Sequence, residues 1–149
     1  MALADHLEQQ MTRLQQLLEL LREERGVLLE GRVDGTRLSQ LAERKQAQLG
    51  AVEDFERHRR QALLRLGYSD NREGDERAAN DAGCLPLWRA ICECAAEVAE
   101  LNRGNGALID LRAEHNRRLL DFLQAAAGKD LYGPDGRAQA QSGRINSRA

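Results

Sequence analysis

From Leu87 to Phe122, one helical position returns at alternating steps of four and three without a slip. The positions are Leu87, Ile91, Cys94, Val98, Leu101, Asn105, Leu108, Arg112, His115, Leu119 and Phe122. Five heptads in register describe one face of one helix. The register passes straight through "NRGNG" at 102–106, where two glycines and two asparagines are poor helix formers. The pattern predicts a single helix from about Pro86, a residue suited to a first turn, to about Ala127, ahead of Gly128. At 1.5 Å per residue it would be roughly 60 Å long.

Two further helices precede it. In the first, about 4–30, Leu7, Met11, Leu14, Leu18, Leu21 and Leu28 form a heptad seam, with Arg25 in the missing slot. Leu17, Leu20, Val27 and Leu29 widen the stripe. "GRVDGT" supplies the break, with Gly31 as C-cap and Asp34 as N-cap. The second helix, about 35–66, carries Leu38, Leu41, Lys45, Gln48, Val52, Phe55, Arg59, Ala62 and Leu66 at the same spacing. So short a connection makes the two antiparallel neighbours. Residues 67–84 show no sustained apolar period and read as a polar, mobile connection with at most a helical turn near "DERAAN". Because the last helix outruns the first two, its C-terminal end should overhang them. Residues 128–149 are polar and glycine-rich and read as a disordered tail.

Composition agrees. Leucine occurs 24 times, whereas Val, Ile and Thr together occur nine times, so strands lack their usual residues. The expected fold is all-α: an elongated antiparallel bundle of three long helices over 1–127. The net charge of −2 is far from the basic excess a general nucleic-acid binder needs. No segment reaches ~18 uncharged apolar residues, and the N-terminus has no signal-peptide core, which makes the cytoplasm the expected location. An odd number of cysteines, Cys84, Cys92 and Cys94, fits free thiols.

Catalytic chemistry is hard to place. Cys92 and Cys94 would point about 200° apart on a helix and cannot share a metal. The serines form no nucleophile elbow, and no phosphate-binding glycine pattern follows a strand. The basic clusters "RHRR" (57–60) and "HNRR" (115–118) sit beside carboxylates and read as balanced helix faces. No enzyme activity, metal or cofactor is therefore expected. What remains is a seam interrupted by Lys45, Arg59, Asn105, Arg112 and His115. Such a seam either fixes register within a bundle or awaits an amphipathic helix from another protein.

Four segments, in order, resemble the FlgN family of flagellar export chaperones. "RLSQLAERKQAQLGAVEDFERHRRQAL" is similar to the family's second helix, and "LWRAI" to the start of its long helix. "LNRGNGALIDLRAEHNRRLLDFL" matches its Leu-Asn-x-x-Asn-Gly pattern, and "LYGPDGR" resembles its tail motif. The resemblance implies a cytoplasmic chaperone without cofactor. It would bind the C-terminal helices of hook–filament junction proteins, keep them from assembling early, and deliver them to the cytoplasmic domain of the flagellar export gate. A structural coiled-coil scaffold or adaptor with no export role is the alternative.

The client surface is expected on Leu101, Asn102, Asn105, Gly106, Leu108, Ile109, Arg112, Leu119 and Leu123. Leu131 and Tyr132 are the expected gate-docking element. Asn102, Asn105 and Gly106 match the family pattern, with Asn105 able to set register and Gly106 able to admit another backbone. Gly104 lies outside the pattern and is expected to face solvent.

Overall fold

The computed structural model describes residues 2–130, apart from the side chains of residues 129 and 130. Their regular secondary structure consists of helices alone: α1 (Leu3–Leu28), α2 (Gly35–Arg65), α3 (Arg72–Asp81) and α4 (Leu85–Asp130). The all-α expectation holds. The helix count rises to four, because the stretch expected to be a mobile connection folds as α3.

The chain divides into two compact units, residues 1–105 and 106–149. The first contains α1–α3 and the start of α4. Within it α1 and α2 are antiparallel: Gln10 Nε2 donates to Val52 O, Arg13 Nη1 to Ala51 O, and Arg37 Nη2 to Glu23 Oε1. The start of α4 runs parallel to α1, since Arg22 pairs with Glu97 and Arg25 with Asn105. The core is the leucine stripe of α1: Leu7, Leu14, Leu17 and Leu21 pack with Ala79, Cys84, Ile91, Cys94 and Val98. Each fully buried leucine contributes roughly 1.5–3 kcal/mol of transfer free energy. Leu20, Val27 and Leu41 form a smaller cluster at the α1–α2 turn.

The helix ends explain the corrections. The Asp34 side chain accepts from Arg37 N at 3.1 Å, so it is the N-cap expected. Gly31 is not the C-cap of α1: the helix stops at Leu28, and Leu29 caps it with right-handed backbone. α2 ends in a Schellman motif, in which Gly67 N donates to Leu64 O and Tyr68 N to Leu63 O. Gly67 takes φ +89 there, a value that favours glycine. α3 ends in the same way, with Gly83 at φ +70 and Cys84 N donating to Ala79 O. The α2 stripe also drifts: Leu63, not Ala62 or Leu66, is buried at its end. A straight helix turns ~20° per heptad away from a strict seven-residue repeat, which accounts for the shift.

α3 docks through small residues. Asn71 Oδ1 accepts from Gly74 N at 2.8 Å and caps the helix, Glu73 and Asp75 fall in its first turn, and Ala78 and Ala79 are buried. Arg59 ties it down. That buried guanidinium bonds Asp75 on α3 at 2.8 Å and Glu56 on α2, and lies 4.4 Å from the centroid of the Trp88 ring on α4. Burial alone would lower the Arg59 pKa, but the hydrogen bonds it donates to Glu56 and Asp75, with their charges, outweigh it and the net shift is upward.

Candidate functional site

At residues 101–105 the seam of α4 becomes polar. Asn105 is completely buried. Its Nδ2 donates to Leu21 O and to Glu24 Oε1, both at 2.9 Å, and its Oδ1 accepts from Arg25 Nε at 2.9 Å. Glu24 is itself buried and accepts from Lys45 Nζ at 3.1 Å. The Lys45 ammonium also lies 3.1 Å from Oε2, but only the Oε1 contact has hydrogen-bond geometry. Two of the polar intruders in the seams, Lys45 and Asn105, thus meet on one buried carboxylate, and the third, Arg25, joins them through Asn105. Glu24 is the member that spacing alone did not single out, since it sits between seam positions. Breaking these bonds by a shift of α4 would leave further buried polar groups unpaired beside Glu24 Oε2, so the layer fixes the register of α4 against α1 and α2.

Gly104 does not face open solvent. A Cβ there would run into the end of the Arg25 guanidinium. Gly106 has open space within 4 Å of the same position. Within the chain, then, the close approach belongs to the glycine outside the family pattern. Leu101 and Asn102 are half-buried.

The second unit begins at Gly106, and its described part is the remainder of α4. Here the same apolar register is exposed. Leu108 and Ile109 are half-buried, whereas Leu111 and Phe122 are each 66% exposed, Leu119 49% and Leu123 44%. At ~100° per residue, Leu108, Leu111, His115, Leu119, Phe122 and Leu123 share an arc of roughly 120°. Arg112 lies within that arc, half-buried. The charged pairs lie outside the arc, with Arg118 at its edge beside Leu111: Glu114 accepts from Arg117 at 2.8 Å and from Arg118 at 3.2 Å. The Arg117 hydrogen bond holds the Glu114 carboxyl below its usual range. An apolar helix face backed by a self-paired charged face is the form of a helix-in-groove interaction surface. Leu111 and Phe122 share this face with Leu108, Leu119 and Leu123; Phe122 was legible as a seam position.

Leu131 and Tyr132 lie outside the described residues. Among the described residues no group of His, Cys, Asp and Glu is arranged to hold a metal, and no helix is long and apolar enough to cross a membrane. Cys84 and Cys94 are buried free thiols and Cys92 is an exposed one, with desolvation pushing the pKa of all three upward.

Fold and site together define an all-α protein that exposes an apolar helix face. The FlgN protein family model matches residues 1–140. The flagella synthesis protein FlgN of Yersinia enterocolitica (serotype O:8) is 29% identical over 140 residues, covering 94% of this chain and 91% of that protein. Its namesakes from Proteus mirabilis and Salmonella typhimurium are each 29% identical, covering 89% and 90% of this chain and 87% and 88% of their own lengths. No solved structure matches the chain significantly. This chain belongs to the FlgN family, and its role is in flagellar assembly.

Proposed function

We propose that the protein is a cytoplasmic export chaperone for hook–filament junction proteins. It binds their C-terminal amphipathic helices, prevents premature assembly, and delivers them to the cytoplasmic domain of the flagellar type III export gate. Family membership supports the setting. The observation that carries the client-binding part is the exposed apolar face from Leu108 to Leu123. Exposing Leu111, Leu119, Phe122 and Leu123 on one arc forgoes roughly 1.5–3 kcal/mol per side chain that a partner can recover.

The client lies along α4 with Leu119, Phe122 and Leu123 as anchors, flanked by Leu101, Leu108, Ile109 and Arg112. Gly106, open on its Cβ side, gives the client backbone room to approach. Asn102 lies at the near end of this surface, and Asn105 holds the register of the helix that presents it. Leu131 and Tyr132 form a separate gate-docking element, in which a tyrosine ring offers an apolar face and a wet phenol. No catalytic step or cofactor enters. The reading treats 1–127 as the chaperone domain and 128–149 as its tail.

Isothermal titration of the protein with C-terminal segments of junction proteins tests this. One segment should bind with 1:1 stoichiometry. Leu119→Ala with Leu123→Ala should weaken it by roughly 2–5 kcal/mol while the melting transition stays in place. Tyr132→Ala should leave client affinity intact and weaken binding to the purified gate domain by about 1–3 kcal/mol. A scaffold with no export role would instead self-associate and ignore every segment.

A further inference from the structure

A groove of about 530 Å³ opens in the first unit between the N-terminal end of α1, the C-terminal end of α2, and α3. Its apolar lining includes buried Leu63 and Ala78, beside Leu66, which is 73% exposed. Tyr68 also lines it, and its hydroxyl donates to Asp81 Oδ2 at 2.7 Å. Leu66 caps α2 with its side chain in solvent, and a large exposed leucine beside a formed apolar groove is a contact awaiting a partner.

The charges say what kind of partner. On the same stretch of α2, Arg57 is paired with Asp54, Arg59 with Glu56 and Asp75, and Arg60 with Glu56. Arg65 and His58, which line the groove, have no carboxylate within 4.0 Å among the described residues. The lining carboxylate of Asp81, on the α3 side, accepts from Tyr68 and keeps its own negative charge. The groove therefore combines an apolar floor with the imidazoles of His6 and His58 and the Arg65 guanidinium along α1 and α2, and with the Asp81 carboxylate on the α3 side.

We propose that this groove is a second docking site, separate from the α4 face, for a segment of another protein that carries a large apolar side chain with carboxylates within a helical turn of it. The apolar side chain enters over Leu63 and Leu66, and the carboxylates meet Arg65 and His58. The chain's own residues 131–149 are the wrong occupant on charge, holding three arginines against one aspartate. A bidentate arginine–carboxylate contact supplies geometric selection, and the apolar contact supplies most of the affinity.

The test is an NMR titration of the isotope-labelled full chain. The probe is an amphipathic helical peptide of about fourteen residues with leucines at i and i+4 flanked by glutamates, alongside the same peptide with every Glu replaced by Lys. The acidic peptide should shift the amides of Leu63, Leu66, Tyr68 and Ala82. The lysine peptide should bind at least about ten-fold more weakly. Arg65→Glu and Leu66→Glu, both at exposed positions, should each weaken the acidic peptide about ten-fold or more without changing the melting transition. The proposal is overturned if shifts are confined to residues 106–126, if both peptides bind alike, or if neither variant matters. It is also overturned if removing residues 131–149, or diluting the free protein, produces the same shifts at the groove. Those outcomes would make the occupant the chain's own tail or a second copy.

Discussion

Arg25 reaches across 80 positions of sequence to donate from Nε to the Oδ1 of Asn105 at 2.9 Å. Arginine stands where the α1 seam would otherwise place a leucine, and asparagine stands on the seam of α4. Each looks like a flaw in its own helix; together they close a hydrogen-bond layer that also takes in Glu24, Lys45 and the Leu21 carbonyl. Gly104 is small because the Arg25 guanidinium occupies the space a Cβ would need. The helix tolerates "NRGNG" because this polar packing anchors it there.

Asn105→Ala should therefore cost far more than a surface asparagine. It removes the acceptor of the Arg25 Nε–H, leaves the Leu21 carbonyl with its helical bond only, and leaves Glu24 with Lys45 alone. A loss of about 2–4 kcal/mol is expected, read as a lower urea midpoint at unchanged slope. Asn105→Asp should be at least as damaging, because it brings a second carboxylate against Glu24. A loss under ~0.5 kcal/mol for Asn105→Ala would show that the layer does not hold the register.

The two glycines of the run should respond in opposite ways. Gly106→Ala meets open space, so it should gain about 0.5–1 kcal/mol from helix propensity alone. Gly104→Ala gains the same propensity but must push the Arg25 guanidinium aside, which should cancel the gain or reverse it. Thermal melts of both variants decide the matter. If Gly104→Ala proves the more stabilising, the Arg25 contact is not worth what its geometry implies.

Gly74→Ala tests whether α3 is a built element. A Cβ at Gly74 would collide with the backbone carbonyl of Ser69, which cannot swing away as a side chain can. Gly74 N is also the donor to the Asn71 cap. A loss of about 1–3 kcal/mol is expected, with increased protease cutting between residues 67 and 84. Wild-type stability and cutting would mean that α3 contributes little to the first unit.

The seams were legible because apolar periodicity reports burial: Leu7, Leu14, Leu21, Ile91, Cys94 and Val98 are all core residues. α3 was missed because it buries alanines and a glycine, which carry almost no hydrophobic signal. Its clues were local instead, an Asn71 cap, acids in the first turn and Gly83 at the end. The partners within the polar layer were also beyond the sequence. Spacing marks Arg25, Lys45 and Asn105 as intruders, but only three helices meeting at one level reveal Glu24 between Lys45 and Asn105. Nor could periodicity say where burial stops, since Asn105 and Leu119 hold equivalent positions of one register. One is fully buried and the other is 49% exposed.

Amide hydrogen exchange across α4 tests the central claim most directly. In the free protein, residues 106–126 should exchange faster than residues 10–28, whose leucines are buried among neighbouring helices. Adding a saturating C-terminal segment of a hook–filament junction protein should slow residues 106–126 by at least about ten-fold and leave residues 10–28 unchanged. Equal protection of the two stretches in the free protein, with no slowing at 106–126 when the segment is added, would contradict the account.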